Sequence, residues 1–245
     1  MENPGGLINH AFSDSTPQLT PSQIQSEIDA YDGSISYADA QIAQLMADIR
    51  DRGLEDNLMV IVTSDHGEAF GEHGAFIHAN SVYREEIHVP LIFWMPAQIP
   101  TGVRVAQPVT NPSLPATIMR LLGEADQDLF PAPSLISLWE APGAYPDWPL
   151  PQAEMEHWPH MPTDMPTESP SSQGSMEPLV NPRWHYIEHE ALGIKLYIWR
   201  RDPEESRDMA DSQEGHAIID KFRDVDSEEG HATIDRFRDP VAITR

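Results

Sequence analysis

The sequence predicts an α/β fold: a partial parallel sheet with flanking helices, followed by a small antiparallel subdomain. Three observations carry that expectation. Ile24, Ile28, Tyr31, Ile35, Ala38, Ile42, Leu45 and Ile49 recur at alternating spacings of four and three, the period of a long amphipathic helix. Residues 58–63 (LMVIVT) are continuously apolar and β-branched, as in a strand covered on both faces, and residues 89–95 (VPLIFWM) read as a second buried strand. Toward the other end, residues 184–187 and 195–199 form a pair of β-rich runs that turn back near Leu192 and Gly193, as in a hairpin.

Taken in order, residues 1–19 carry Gly, Pro, Ser and Thr without a period and read as an irregular lead-in. Thr20, Pro21 and Gln23 then spell a helix start: a capping hydroxyl, a proline in the first turn and a glutamine at the capping-box position. Gly53 is the expected stop. After strand 58–63 comes a Gly- and His-rich loop, a short helix around residues 82–86, and strand 89–95. A strand, crossover, strand order implies a parallel pair. Residues 114–122 read as a short helix closed by Gly123. From Ala141 to Pro182 prolines are frequent and the composition is that of a linker, although residues 152–156 have the look of a short strand. The tail holds a tandem repeat: DSQEGHAIIDKFRD at 211–224 and DSEEGHATIDRFRD at 226–239. Two copies are too few for a solenoid. They fit one amphipathic helix duplicated, and His216 and His231 are each a lone histidine on a polar helix. The expected domains are 1–19 lead-in, 20–140 α/β domain, 141–210 Pro-rich segment with the antiparallel subdomain, and 211–245 duplicated helical tail.

With 40 acidic and 15 basic residues the formal charge is −25. That field argues against nucleic acid or an anionic membrane as partner, and it suits a surface adapted to high salt, where screening removes self-repulsion. The chain has no cysteine, so neither disulfides nor thiolate chemistry are available. No apolar run reaches transmembrane length, and the N-terminus as written lacks the basic and apolar stretches of a signal peptide, which suits either a cytoplasmic chain or one whose true N-terminus lies upstream.

The densest chemistry follows strand 58–63. There Ser64-Asp65-His66-Gly67-Glu68 is followed by Gly71-Glu72-His73-Gly74, His78, Asn80 and Tyr83. Ligands of open α/β sheets bind just beyond strand ends. A carboxylate and an imidazole aimed at one point suit a divalent cation, so Asp65 and His66 are the candidate metal ligands.

This string, with Val89-Pro90-Leu91-Ile92 beyond it, closely resembles the C-terminal active-site segment of the sulfatase family, in the alkaline-phosphatase-like superfamily of metal-dependent hydrolases. Residues 31–39 resemble the helix that precedes this strand in sulfatases. Leu196-Tyr197, Asp202-Pro203-Glu204-Glu205, Arg207-Asp208 and Ala210 resemble the family's C-terminal signature. The resemblance implies an alkaline-phosphatase-like sheet with a small antiparallel C-terminal subdomain, and it covers about residues 20 to 224. It also implies a divalent cation held in part by Asp65 and His66: calcium, with magnesium or manganese as alternatives. His78 falls where the family places a Lys or His that contacts the ester, so the resemblance gives it a catalytic role, neutralising the transferring group or protonating the leaving oxygen. His73 is expected to fix the loop and His88 to be structural. Many sulfatases have Asn at the place of His66, and His there is found more often in the branch that also includes phosphonate and phosphate ester hydrolases.

The family's nucleophile comes from a C/S-x-P-x-R motif converted to formylglycine. No such string occurs in these 245 residues; residues 113–117, SLPAT, lack the arginine. The paired Asp ligands of the family's first strand are also absent, and His10 does not align with its upstream catalytic histidine. The expectation is therefore a C-terminal portion of a sulfatase-like hydrolase acting on sulfate esters, or alternatively on phosphate or phosphonate esters. A non-catalytic product that binds a partner, such as a separately encoded N-terminal half, is the further alternative.

Overall fold

The computed structural model describes residues 19–124, 129–141, 148–157 and 169–225. The second tail repeat, His231, His10 and most of the lead-in lie outside the described residues. The chain forms two compact units. The first comprises residues up to Val103 with Glu154–Met176 and Glu190–Leu192; the second comprises Arg104–Ala153, Glu177–His189 and residues from Gly193 on.

The first unit opens with helix α1 (Pro21–Asp51), which starts and stops where local chemistry dictates. The Thr20 amide donates to Gln23 Oε1 at 2.9 Å and the Gln23 amide to Thr20 Oγ1 at 3.4 Å, so the capping box is complete. At the other end Gly53 adopts φ +65°, with its N–H on Arg50 O and the Leu54 N–H on Ile49 O, the paired bonds of a Schellman stop. Of the apolar stripe, only Ile49 is buried. Tyr31 packs edge-on to Phe70 at 5.3 Å between ring centroids.

Strand β1 (Val60–Thr63) pairs with β4 (Leu91–Trp94). Between them lie the two-residue strands β2 (Ala69–Phe70) and β3 (Phe76–Ile77), paired antiparallel, and the one-turn helix α2 (Arg84–Ile87). The expectation of a parallel β1/β4 pair is corrected here: the strands are neighbours, but antiparallel, with Val60 opposite Trp94 and Thr63 opposite Leu91. A parallel return needs a crossover of a dozen or more residues, usually a helix, that carries the chain back to the starting edge. Residues 64–90 hold only a small hairpin and one helical turn, and they deliver the chain to Leu91 opposite the residue where it left. Asp65 and His66 thus follow the carboxyl end of β1 beside the amino end of β4. The strands are also less covered than expected. Residues 60–62 are half-buried and Ile92 is 57% exposed.

The second unit contains helices α3 (Ser113–Leu121) and α4 (Ile136–Glu140), and α3 ends at Gly123 in a second Schellman stop. Buried Ser113 lies inside the first turn and Pro112 holds the cap position without a side-chain bond. Thr117 Oγ1 accepts from the Leu135 amide at 2.9 Å, tying α3 to the start of α4. After the short helix α5 (Pro170–Gln173) of the first unit comes a three-stranded sheet in the order β5 (Met176–Val180), β6 (His185–His189), β7 (Gly193–Tyr197). The expected hairpin is present, with His185 opposite Tyr197 and Gly193 at φ +74°. In the stretch read as a short strand, residues 152–156, Gln152 and Met155 make isolated bridges to Leu179 and Met176. Helix α6 (Gln213–Val225) is the first tail repeat, and its Ile219 and Phe222 join Leu179, Trp184, Tyr186, Leu196 and Ala210 in one apolar cluster. No helix among the described residues is long and apolar enough to cross a membrane.

Candidate active site

The loop after β1 is held by a buried carboxylate. Glu86, on α2, is 4% exposed. Its Oε2 accepts from the amides of Asn80 and Ser81 at 3.2 and 3.3 Å, and its Oε1 accepts from Ser81 Oγ at 2.5 Å. Its backbone carbonyl accepts from the Gly67 N–H at 2.7 Å. One residue therefore braces the segment following His66 and the segment following His78. Burial pushes the Glu86 carboxyl above its ordinary pKa, only partly offset by the bonds from Ser81 and Asn80.

This brace brings His78 to His66. The two imidazoles stack with centroids 3.9 Å apart and planes inclined by 23°. His66 Nδ1 lies 2.7 Å from Gly67 O. A carbonyl only accepts, so that nitrogen donates to it. Nε2 in turn is 3.7 Å from Asp65 Oδ2. Asp65 is 86% exposed at its side chain, and its pKa is lowered by its own backbone amide first, then by His66. His78 Nδ1 is 3.0 Å from Glu68 Oε2. Ile77 and Ala79, on either side of His78, both have left-handed φ, +59° and +64°. For a β-branched residue that conformation costs about 1–3 kcal/mol and persists only where surrounding bonds enforce it. The Glu86 bonds and the bond from Asn80 Nδ2 to Phe76 O supply that enforcement.

The structure thus stacks two of the three sequence-derived site residues, His66 and His78, and sets the third, Asp65, 3.7 Å from His66. It adds Glu68, which sequence reasoning did not single out. The available signal was its position inside the same Gly-flanked string, at the spacing that lets a loop return to it. His73 stacks on Tyr83 at 3.7 Å with nearly parallel planes and lies 3.8 Å from Glu85, so it packs the loop rather than reaching the cluster. His88 caps the end of α2, its N–H on Arg84 O. In the second unit, the residues that resemble a C-terminal signature serve backbone groups. Asp202 accepts from the amides of Ser206 and Arg207, and Asp208 Oδ1 accepts from those of Leu196 and Ala210.

Residues 8–124 match the family model described as Sulfatase. Human iduronate 2-sulfatase is 33% identical over 109 residues, which are 43% of this chain and 20% of that protein. Among solved structures, a protein in complex with its substrate D-glucosamine-2-N,6-O-disulfate superposes with a TM-score of 0.67 at 20% identity, covering 86% of this chain and 41% of that one. The phosphonate monoester hydrolase of Agrobacterium radiobacter gives a TM-score of 0.68 at 20% identity, covering 84% and 41%. Just under half of the chain is thus similar to the sulfatase family, and the fold is the alkaline-phosphatase-like one of these solved neighbours. The chain spans about a fifth of the curated relative and less than half of these solved neighbours. Sulfatases work with a divalent metal. The donor set at the end of β1 suits one: an exposed carboxylate with a lowered pKa and an imidazole nitrogen 3.7 Å from it.

Proposed function

We propose that the loop after β1 supplies part of the active site of a sulfuric ester hydrolase. Asp65 and His66 hold a divalent cation, calcium in the first instance with magnesium or manganese as alternatives, and His78 faces the ester. The observation that supports this reading is the convergence of His66 and His78, twelve residues apart in sequence, with Asp65 Oδ2 3.7 Å from His66 Nε2. A cation bound there would neutralise the charged oxygens of the ester. His78, held by Glu68, is positioned to bind a transferring group or to give a proton to the leaving oxygen. The nucleophile in this reading is a formylglycine from a C/S-x-P-x-R motif outside these 245 residues, either on a longer polypeptide or on a separately encoded segment that docks here.

A phosphate or phosphonate ester hydrolase is the second reading. It is favoured by His66 and by the fold shared with a phosphonate monoester hydrolase. The nature of the nucleophile separates the two, since formylglycine suits sulfate while Thr or Ser suits phosphoryl transfer.

The test is turnover. The purified chain should leave aryl sulfates and aryl phosphates intact with calcium, magnesium or manganese. The same chain joined to a segment carrying the nucleophile motif should hydrolyse the aryl sulfate, and Asp65→Ala in that assembly should abolish activity. Metal-dependent multiple turnover by the 245 residues alone, lost on Asp65→Ala, would overturn the assignment of the nucleophile to another segment.

A further inference from the structure

We infer that the apolar seat of α6 is a docking surface with two occupants in this chain, and that the second tail repeat, residues 226–239, is its alternative occupant. The seat belongs to the second unit. There Leu179, Trp184, Tyr186, Leu196 and Ala210 receive Ile219 and Phe222 of the first repeat. The Tyr186 and Phe222 rings stack with centroids 5.2 Å apart. Residues 226–239 lie outside the described residues, and their fit to the seat is read from the positions they share with α6.

The two copies differ at three of 14 positions: Gln213 against Glu228, Ile218 against Thr233 and Lys221 against Arg236. In the first copy Gln213 and Lys221 are exposed and Ile218 is half-buried. Every fully buried position is unchanged: Gly215, Ile219 and Phe222 recur as Gly230, Ile234 and Phe237. The seat asks for more than an apolar stripe. A Cβ at Gly215 would collide with the carbonyl oxygen of Met209, so only glycine fits there, and Gly230 meets that demand. Ser212 Oγ accepts from the Gly215 N–H at 2.9 Å, as a helix cap does, and Ser227 stands at the same offset from Gly230. Glu214, paired with Arg183 at 2.7 Å, recurs as Glu229.

One seat cannot hold both copies, and magnitudes decide which one it holds. Seating the second repeat loops out residues 211–225, and closing a loop of that length disfavours the exchange by about a hundredfold. Thr233 in place of the half-buried Ile218 adds roughly a tenfold penalty. The first repeat therefore holds the seat by about a thousandfold. Truncating both of its anchors, a buried Ile and a buried Phe, disfavours its packing by about ten-thousandfold or more, so the balance reverses and the second repeat takes the seat. Exchange between molecules gains no contact, since each molecule brings one seat and two copies, and it gives up the tether; the exchange is intramolecular. It uses none of the residues assigned to the ester site.

The experiment is hydrogen exchange read by mass spectrometry on the full chain. Relative to the natural protein, Ile219→Ala/Phe222→Ala should lower the protection of residues 216–224 and raise that of residues 231–239 by about tenfold or more. Thr233→Ile in that background should raise it by roughly another tenfold. The pair Ile234→Ala/Phe237→Ala should leave the urea midpoint of the natural protein nearly unchanged. Added to Ile219→Ala/Phe222→Ala, it should abolish the gain in protection and lower the midpoint well beyond the sum of the two pairs. The gain should be independent of protein concentration. Failure of residues 231–239 to gain protection in Ile219→Ala/Phe222→Ala overturns the inference, whether that variant keeps its fold or loses it, because rescue is what the exchange supplies. So does strict additivity of the two pairs. So does a gain that appears only as dimers form in sedimentation, which would make the occupant a second copy of the chain.

Discussion

Glu86 concentrates the energetics of the site in one side chain. It satisfies two buried amides and a buried hydroxyl. Leaving such donors unpaired costs about 1–3 kcal/mol for each group. Glu86→Ala should therefore destabilise the first unit by about 3 kcal/mol in chemical unfolding and separate the stacked His66 and His78 rings. The same residue predicts a pH dependence of definite sign. Its folded-state pKa is raised by burial, so the folded protein holds this proton more tightly than the unfolded chain does. The contribution of Glu86 is then most favourable below its unfolded pKa and is lost as pH rises toward its raised folded value. Glu86→Gln removes that titration. The stability of the natural protein minus that of Glu86→Gln should fall as pH is raised from about 4 to 7, and a flat difference in urea titrations would refute the burial argument. Asp65, His66 and His78 were legible as residues because a short string carries them. Glu68 and Glu86 were not, because what makes them matter is the return of a loop, which no local pattern encodes.

At the level of elements, chain segments ending in local chemistry were readable and those decided by long-range pairing were not. The start of α1 at Thr20 and its stop at Gly53, the end of α3 at Gly123, and the turn at Gly193 each follow from side chains within four residues of the boundary. The direction of β4 against β1 does not: it depends on whether residues 64–90 cross the sheet or fold back beside it, and the same apolar runs serve either outcome. What holds the returned arrangement is the close approach of Gly67 to α2. A Cβ at Gly67 would lie 2.0 Å from Glu85 O and 3.3 Å from Glu86 Cα, both backbone atoms that cannot rotate away. Gly67→Ala must therefore break the bond from Gly67 N–H to Glu86 O, at a cost of about 1–3 kcal/mol. Gly33→Ala is the contrast. Gly33 sits within α1 with nothing inside 4 Å of a built Cβ, so alanine there should stabilise by about 0.5–1 kcal/mol. Urea midpoints of the two variants should move in opposite directions. Equal shifts would mean that the Gly67 contact does not position the loop.

Across the whole molecule two surface properties oppose each other. The formal charge of −25 makes the folded state repel itself. At the same time apolar side chains stand open along α1, with Ile35 53%, Tyr37 69% and Leu45 55% exposed, and Ile92 on β4 adds a fourth. Charge keeps such surfaces apart in dilute salt, and screening removes that protection while it relieves the internal repulsion. The Debye length shrinks from about 10 Å at 0.1 M to about 3 Å at 1 M. Thermal unfolding should therefore move to higher temperature between roughly 0.05 and 1 M sodium chloride, with most of the gain below about 0.5 M, where screening changes fastest. Over the same range sedimentation should reveal self-association. The variant Ile35→Ser/Leu45→Ser should reduce it without lowering the melting temperature, since neither side chain is buried. If the melting temperature rises only in step with association, the stabilisation comes from covering α1. If it rises equally in the variant, it comes from screening of the net charge, which is the outcome expected here. A melting temperature unchanged by salt in both proteins would show that the acidic excess is too dispersed to strain the fold.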